Sequence, residues 1–173
     1  MIATKLKIRL CSDPCLRKKS VPIKAVDAST RLLITSMLET MYDGKGIGLA
    51  APQVGINERL IVVDIGDGPV ALINPKITKR SGQDIMEEGC LSVPGIVVEI
   101  KRPAKIRVEY LDENNQPQAQ DLAGLMARVV LHETDHLNGK LIIDYASWAQ
   151  KLKFKKKLKE IKKNSVTNSP VNF

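Results

Sequence analysis

The sequence predicts an α+β domain in which antiparallel β-sheets pack around a central helix, with one helix before them and a basic helix at the C-terminal end. Three observations carry that expectation. Short runs rich in Val, Ile and Leu, broken by turn residues, fill the middle of the chain. Segments with apolar residues at helical spacing flank them. A length of 173 residues suits one core, since domains cluster near ~100–150 residues. The 43% apolar content is ordinary and the 3% aromatic content is low, so that core is expected to be aliphatic.

Residues 27–41 read as the first helix, capped by Asp27 or Ser29, with Leu33, Met37, Leu38 and Met41 at helical spacing. Residues 44–55 read as a glycine-dotted loop holding Pro52. Candidate strands follow at 60–65, 70–77, 95–100 and 105–111. Turn signals stand at Gly66-Asp67-Gly68-Pro69 and at 114–117. A helix at 122–138 ends at Gly139, a residue suited to the left-handed position after a helix. Ser147-Trp148-Ala149-Gln150 has the capping-box pattern and opens the last helix. The expected organisation is a catalytic body at 1–146, a basic helix of the same domain at 147–163, and a disordered tail at 164–173.

The net charge of +8 is not spread evenly. Residues 151–163 hold eight lysines and one glutamate, a local +7, which leaves +1 for everything else. Basicity therefore belongs to a C-terminal arm. Residues 1–15 contain only scattered apolar residues and do not read as a secretory signal. No apolar run approaches the ~20 residues of a membrane helix, so no membrane association is expected. Three cysteines, an odd number, leave at least one thiol free or bound to something, and point to a reducing cytoplasm.

The strongest chemical signal is His132-Glu133-Thr134-Asp135-His136, which contains the only two histidines of the chain. Residues four apart share a helix face, so two imidazoles can reach one metal while the glutamate projects beside it. Leu125, Val129, His132 and His136 fall on one stripe, which sets the metal above an apolar floor. A catalytic metal usually has three protein ligands and one open position. Cysteines and carboxylates are candidates for the third. Cys11 and Cys15 are close together near the N-terminus, a weak spacing that reads equally as small buried side chains. Cys90 lies in a loop, Glu87-Glu88-Gly89-Cys90-Leu91-Ser92, where glycine allows close approach of the backbone. The run from Gly46 to Ala51 superficially fits a dinucleotide fingerprint, but it follows a helix pattern and Pro52 stands inside what should be the binding helix.

Three segments together resemble the peptide deformylase family: Gly46-Ile47-Gly48-Leu49-Ala50-Ala51-Pro52-Gln53-Val54-Gly55, Glu88-Gly89-Cys90-Leu91-Ser92, and His132-Glu133-Thr134-Asp135-His136-Leu137. Asp13-Pro14-Cys15-Leu16-Arg17 and Arg102-Pro103 extend the resemblance, which reaches to about Tyr145. It implies a metal-dependent hydrolase that removes the formyl group from the N-terminal methionine of nascent chains. It implies Cys90, His132 and His136 as ligands of one divalent ion, most often Fe2+ with Zn2+, Ni2+ or Co2+ able to substitute. It implies Glu133 as general acid/base, with Gln53 and the Leu91 N–H on the reacting formyl oxygen. Gly46, Ile47, Gly48, Met86, Glu88, Leu125, Arg128 and Val129 are the residues it implies for binding N-formylmethionyl peptides. Arg128, just before Val129, is expected to place a charge at the pocket rim. Leu131 departs from the glutamine that many relatives carry before the first histidine.

A zinc endopeptidase with Asp144 as third ligand is the rival reading. A nucleic-acid-binding module using the lysine arm, with a structural metal, is the other; that site would close with four ligands, and only three good ones are found. The arm at 151–163 is expected to touch ribosomal RNA through nonspecific phosphate contacts, with Phe154, Leu158 and Ile161 forming an apolar stripe against the body.

Overall fold

The computed structural model describes the backbone of residues 4–167 and the side chains of 4–163. Helix α1 spans Ala28–Asp43. Asp27 caps it by accepting the Thr30 N–H at 2.9 Å, and Met37 and Met41 bury its inner face. Seven strands follow: β1 (Gly48–Ala50), β2 (Leu60–Val63), β3 (Val70–Ser81), β4 (Asp84–Glu88), β5 (Val98–Arg102), β6 (Lys105–Leu111) and β7 (Pro117–Ala123). Then come α2 (Gly124–Leu137), the single turn α3 (Ile142–Tyr145) and α4 (Trp148–Thr167).

All pairings between these strands are antiparallel. One sheet has the order β1-β2-β3-β6-β7, and β4 pairs with β5 in a second. Helix α2 packs against β1, β2, β6 and β7. Its apolar face, with Ala127, Val130, Leu131 and Leu137, meets Ile61, Val63, Ile106 and Val108 in an aliphatic core. A second core joins α1 to Leu49, Leu60 and Val62. In a third, Ile161 of α4 is buried with Val98 and Ile100 of β5, while Phe154 and Leu158 pack alongside. The apolar stripe of the basic helix therefore faces the body. Ser147 caps α4 as the pattern predicts: its hydroxyl accepts the Gln150 N–H at 3.2 Å, and the Gln150 side-chain oxygen accepts the Ser147 N–H at 2.8 Å.

Several expectations need correction. Residues 44–55 are not a plain loop, because β1 pairs there with Ile61, Val62 and Val63, and a 3-10 helix occupies Ala51–Val54. Gly48-Leu49-Ala50 has no β-branched or aromatic residue to signal a strand; pairing with a distant apolar strand imposes it. Strands β4 and β7 are polar and poor in β-branched residues, and each is held by its ladder to β5 or β6. Strand β5 starts at Val98 and not at Gly95, whose φ of +73° belongs to the preceding turn. Strand β3 continues to Ser81 through an exposed basic end, paired with β6. Helix α4 runs to Thr167, beyond the point where the tail was expected, and residues 168–173 lie outside the described residues. No helix among the described residues is long and apolar enough to cross a membrane.

Candidate metal centre and pocket

One helical turn separates His132 from His136 on α2, with ring centroids 5.2 Å apart. The turn after β4 carries Cys90 to them, so that its Sγ lies 3.3 Å from His136 Nε2. The ligand atoms of Cys90, His132 and His136 all fall within 4.8 Å of one another. Two imidazoles and a thiol converging in this way suit a single divalent ion such as iron or zinc. Burial holds His136 well below its ordinary pKa, which keeps a lone pair available. Glu133, on the same turn of α2, is 4% exposed, and its Oε2 is buried without a hydrogen-bond partner among the described residues. Burial pushes its carboxyl up to about 7, against the opposing pull of His132.

Gln53 enters from the 3-10 helix. Its side-chain oxygen accepts the Ala50 N–H at 2.8 Å, so its amide nitrogen must turn the other way. That nitrogen donates toward Cys90 Sγ at 3.5 Å and Ser92 Oγ at 3.3 Å. Leu91 follows Cys90 and rests its side chain close to Gly44 and Gly46.

Behind the histidines stands a buried ionic network. Glu88 Oε2 meets His132 Nδ1 at 2.9 Å and the Arg102 Nη2 donor at 2.9 Å. Its Oε1 accepts from Arg102 Nε at 2.6 Å and Arg128 Nη1 at 2.7 Å. Engaging Nδ1 fixes the ring and leaves Nε2 as the ligand atom of His132. Arg102 also donates to Asp135 at 2.8 Å, and Asp135 accepts the Tyr145 hydroxyl at 2.7 Å. Burial would raise the Glu88 carboxyl, but hydrogen bonds from His132 and Arg102 hold it down at about 2.

Two site assignments therefore change. Glu88 lines the cavity, yet both its oxygens are committed to Arg102, Arg128 and His132, so its carboxylate is not offered to a ligand. Arg128 does not put a charge at the rim. Its guanidinium is buried, donating to Glu88, to the Ile100 carbonyl at 3.0 Å and to the Asp84 carbonyl at 2.9 Å. Sequence inspection assigned no role to Arg102 or Tyr145, which reach the site only through the β4–β5 pairing and the turn α3, nor to Asp135 on α2, whose partners they are.

The remaining candidates do come together. A cavity of about 480 Å³, lined by Cys90, His132 and Glu133, opens beside the trio, in the size range of small-molecule sites. Gly46, Ile47 and Gly48 form one wall, and Met86, Leu125 and Val129 line it with apolar surface. Val129 is buried, whereas Met86 and Leu125 are 41% and 42% exposed at its mouth. Cys11 and Cys15 are free thiols outside the trio. Asp144 is bonded to Arg17 at 2.6 Å and is no part of the trio either.

The family model of polypeptide deformylase matches residues 5–152. The peptide deformylase of Thermotoga maritima is 48% identical over 156 residues, covering 90% of this chain and 95% of that protein. Its crystal structure superposes with a TM-score of 0.82, covering 83% of this chain and 99% of that one. A peptide deformylase structure from Legionella pneumophila is 38% identical and superposes at 0.88 over 96% of this chain and 100% of its own. Matched by the family model over most of its length and by relatives over nearly theirs, the chain belongs to the polypeptide deformylase family.

Proposed function

We propose that this chain is a metal-dependent hydrolase that removes the formyl group from the N-terminal formyl-methionine of nascent polypeptides and releases formate. The observation that carries the reading is the cluster of Cys90, His132 and His136 beside a cavity lined by Cys90, His132 and Glu133, in a chain of this family. Cys90, His132 and His136 would hold the ion, which we infer to be Fe2+, with Zn2+, Ni2+ or Co2+ as substitutes, since a thiol and two imidazoles accept all of them. When bound, the ion supplies Lewis acidity, lowering the pKa of a water molecule from ~15.7 toward ~7.

The protein's own groups do the rest. Met86, Leu125, Val129 and the ring of His132 receive the methionine side chain, and the Gly46–Gly48 wall lets the peptide backbone lie close. The Gln53 amide and the Leu91 N–H donate to the formyl oxygen as negative charge builds there; one such donor is typically worth ~2.7–4 kcal/mol of barrier. The Ala50 N–H pins the Gln53 oxygen, so the donor is aimed before substrate arrives. Glu133 takes the proton of the attacking water and gives it to the departing amine. Burial, which raises this carboxyl, favours its holding the proton between the two transfers. The experiment is anaerobic purification, metal analysis and a formate-release assay on formyl-Met peptides. Formate release that requires the metal supports the reading, and intact metal without release refutes it. The endopeptidase rival loses its third ligand, because Asp144 is tied to Arg17.

Gly48 should be intolerant of any side chain. An added Cβ would come within 2.5 Å of Glu133 Oε1 and 2.6 Å of Val129 Cγ1. The expected result for Gly48→Ala is a fall in kcat/KM of roughly 10²-fold with metal retained, the scale of misplacing a catalytic group by about an ångström. Activity near that of the parent would show that the wall can yield.

We infer that the enzyme works in the cytoplasm, where formylated chains leave the ribosome, and that the lysine arm meets the ribosome there. Residues 151–163 carry their local +7 on a helix whose apolar stripe is turned to the body, so the charges face outward. Docking to ribosomal RNA phosphates should make cosedimentation with empty ribosomes fall steeply with salt. Truncation after Gln150 should abolish it. Equal binding by the truncated chain would eliminate the arm as the docking element.

A further inference from the structure

Among the described residues that line the cavity, Lys45 is the exposed cation, and the proposed reaction has no use for it. Lys45 lines the cavity and is exposed. It is the residue after the α1 cap, flanked by Gly44 and Gly46, and adopts φ +54°. Its N–H bonds to the Tyr42 carbonyl at 2.9 Å and that of Gly46 to the Met41 carbonyl at 2.9 Å, so the backbone is held as a helix stop. Glycine takes such a left-handed position at no steric cost, whereas a lysine does so at a penalty. Backbone strain kept beside a ligand cavity points to a use for the side chain.

No salt bridge among the described residues neutralises that charge. Asp43 is paired with Lys5 at 2.5 Å, and Asp64 accepts the Tyr42 hydroxyl at 2.6 Å. Lys45 makes no ion pair among the described residues. Around the cavity, Glu88 and Arg128 are buried against each other, and His132 and Glu133 are buried on α2. Glu87 on β4, across the ladder from Glu99, is an exposed acid that also lines the cavity, but it forms no salt bridge with Lys45.

We propose that Lys45 is a specificity-determining residue that favours formylated peptides carrying a carboxylate side chain close behind the terminal methionine. The inference rests on the deformylase reading given above. With formyl-methionine seated over the candidate ligands, the chain behind it leaves past the mouth where Lys45 stands. An exposed ion pair is worth ~0.2–1 kcal/mol, which converts to roughly 1.5- to 5-fold in kcat/KM.

The test compares formyl-Met-Ala-Ala with formyl-Met-Asp-Ala and formyl-Met-Ala-Asp, and with the corresponding lysine peptides, on the metal-loaded full chain. Lys45→Gly suits the backbone and removes the charge; Lys45→Glu reverses it. The ratio of charged to neutral peptide is read within each variant, so any general loss cancels. The expected result is an acidic-to-neutral ratio of roughly 1.5 to 5 in the parent for at least one acidic peptide. It should be near unity in Lys45→Gly, fall below unity in Lys45→Glu, and shrink as salt is raised. Ratios that are the same in all three proteins overturn the proposal. Failure of every peptide, neutral included, overturns the deformylase reading itself and the inference with it.

Discussion

Replacing Glu133 with glutamine should leave the metal in place and remove most of the turnover. Glutamine has nearly the same shape, and the three candidate ligands lie on other residues, so their convergence should persist. What disappears is a buried carboxyl that burial raises to about 7, the group able to accept the water proton and release it to the amine. Loss of a general acid/base typically costs ~10²–10⁴-fold in rate. Formate release and metal content measured on the same preparation decide the matter. A metal-loaded Glu133→Gln enzyme with near-parental turnover would contradict the proton relay.

The second large effect concerns the support behind the site. Glu88→Gln keeps the size of the side chain but leaves the guanidiniums of Arg102 and Arg128, both buried, without their shared anion. Removing one member of a buried ionic pair typically costs ~3–5 kcal/mol, because the remaining charge stays desolvated. Urea denaturation should show a loss of that order. His132 would also lose the negative partner on its Nδ1, which should weaken metal binding about 10–100-fold. Asp84→Asn is the control. Its carboxylate approaches Arg128 only at 3.4 Å and its side chain is 41% exposed, so the expected cost is below about 1 kcal/mol. Equal stabilities for the two variants would mean that the network does not hold the site together.

The parts of this structure that could be read in advance are those whose signal is local. The caps at Asp27 and Ser147, the β6 boundaries and the one-turn spacing of His132 and His136 each follow from residues within a few positions of one another. Cys90 could be singled out only by asking for a third ligand and by resemblance, since a loop cysteine has no pattern of its own. What escaped is non-local. Strand β1 is Gly48-Leu49-Ala50, made into a strand by Ile61–Val63, and β4 is a largely acidic segment made into one by β5. That second pairing puts Arg102 directly opposite Asp84 and brings its guanidinium to Glu88 and Asp135. Arg128 shows the same limit. Its position beside Val129 suggested a rim charge, but a helix face is set by what packs on it, and here the β4–β5 sheet covers it. Lys45 reads as an ordinary loop lysine until its left-handed backbone and its place at the cavity are known.

One titration tests the metal site most directly. The chain is stripped of metal with a chelator under anaerobic conditions, and Fe2+ is added back while formate release from a formyl-Met peptide is followed. The stripped protein should release no formate, activity should rise to a break at about one ion per chain, and Cys90→Ala should stay inactive throughout. Formate release by the stripped chain, or a Cys90→Ala protein that titrates like its parent, would contradict a catalytic ion held by Cys90, His132 and His136.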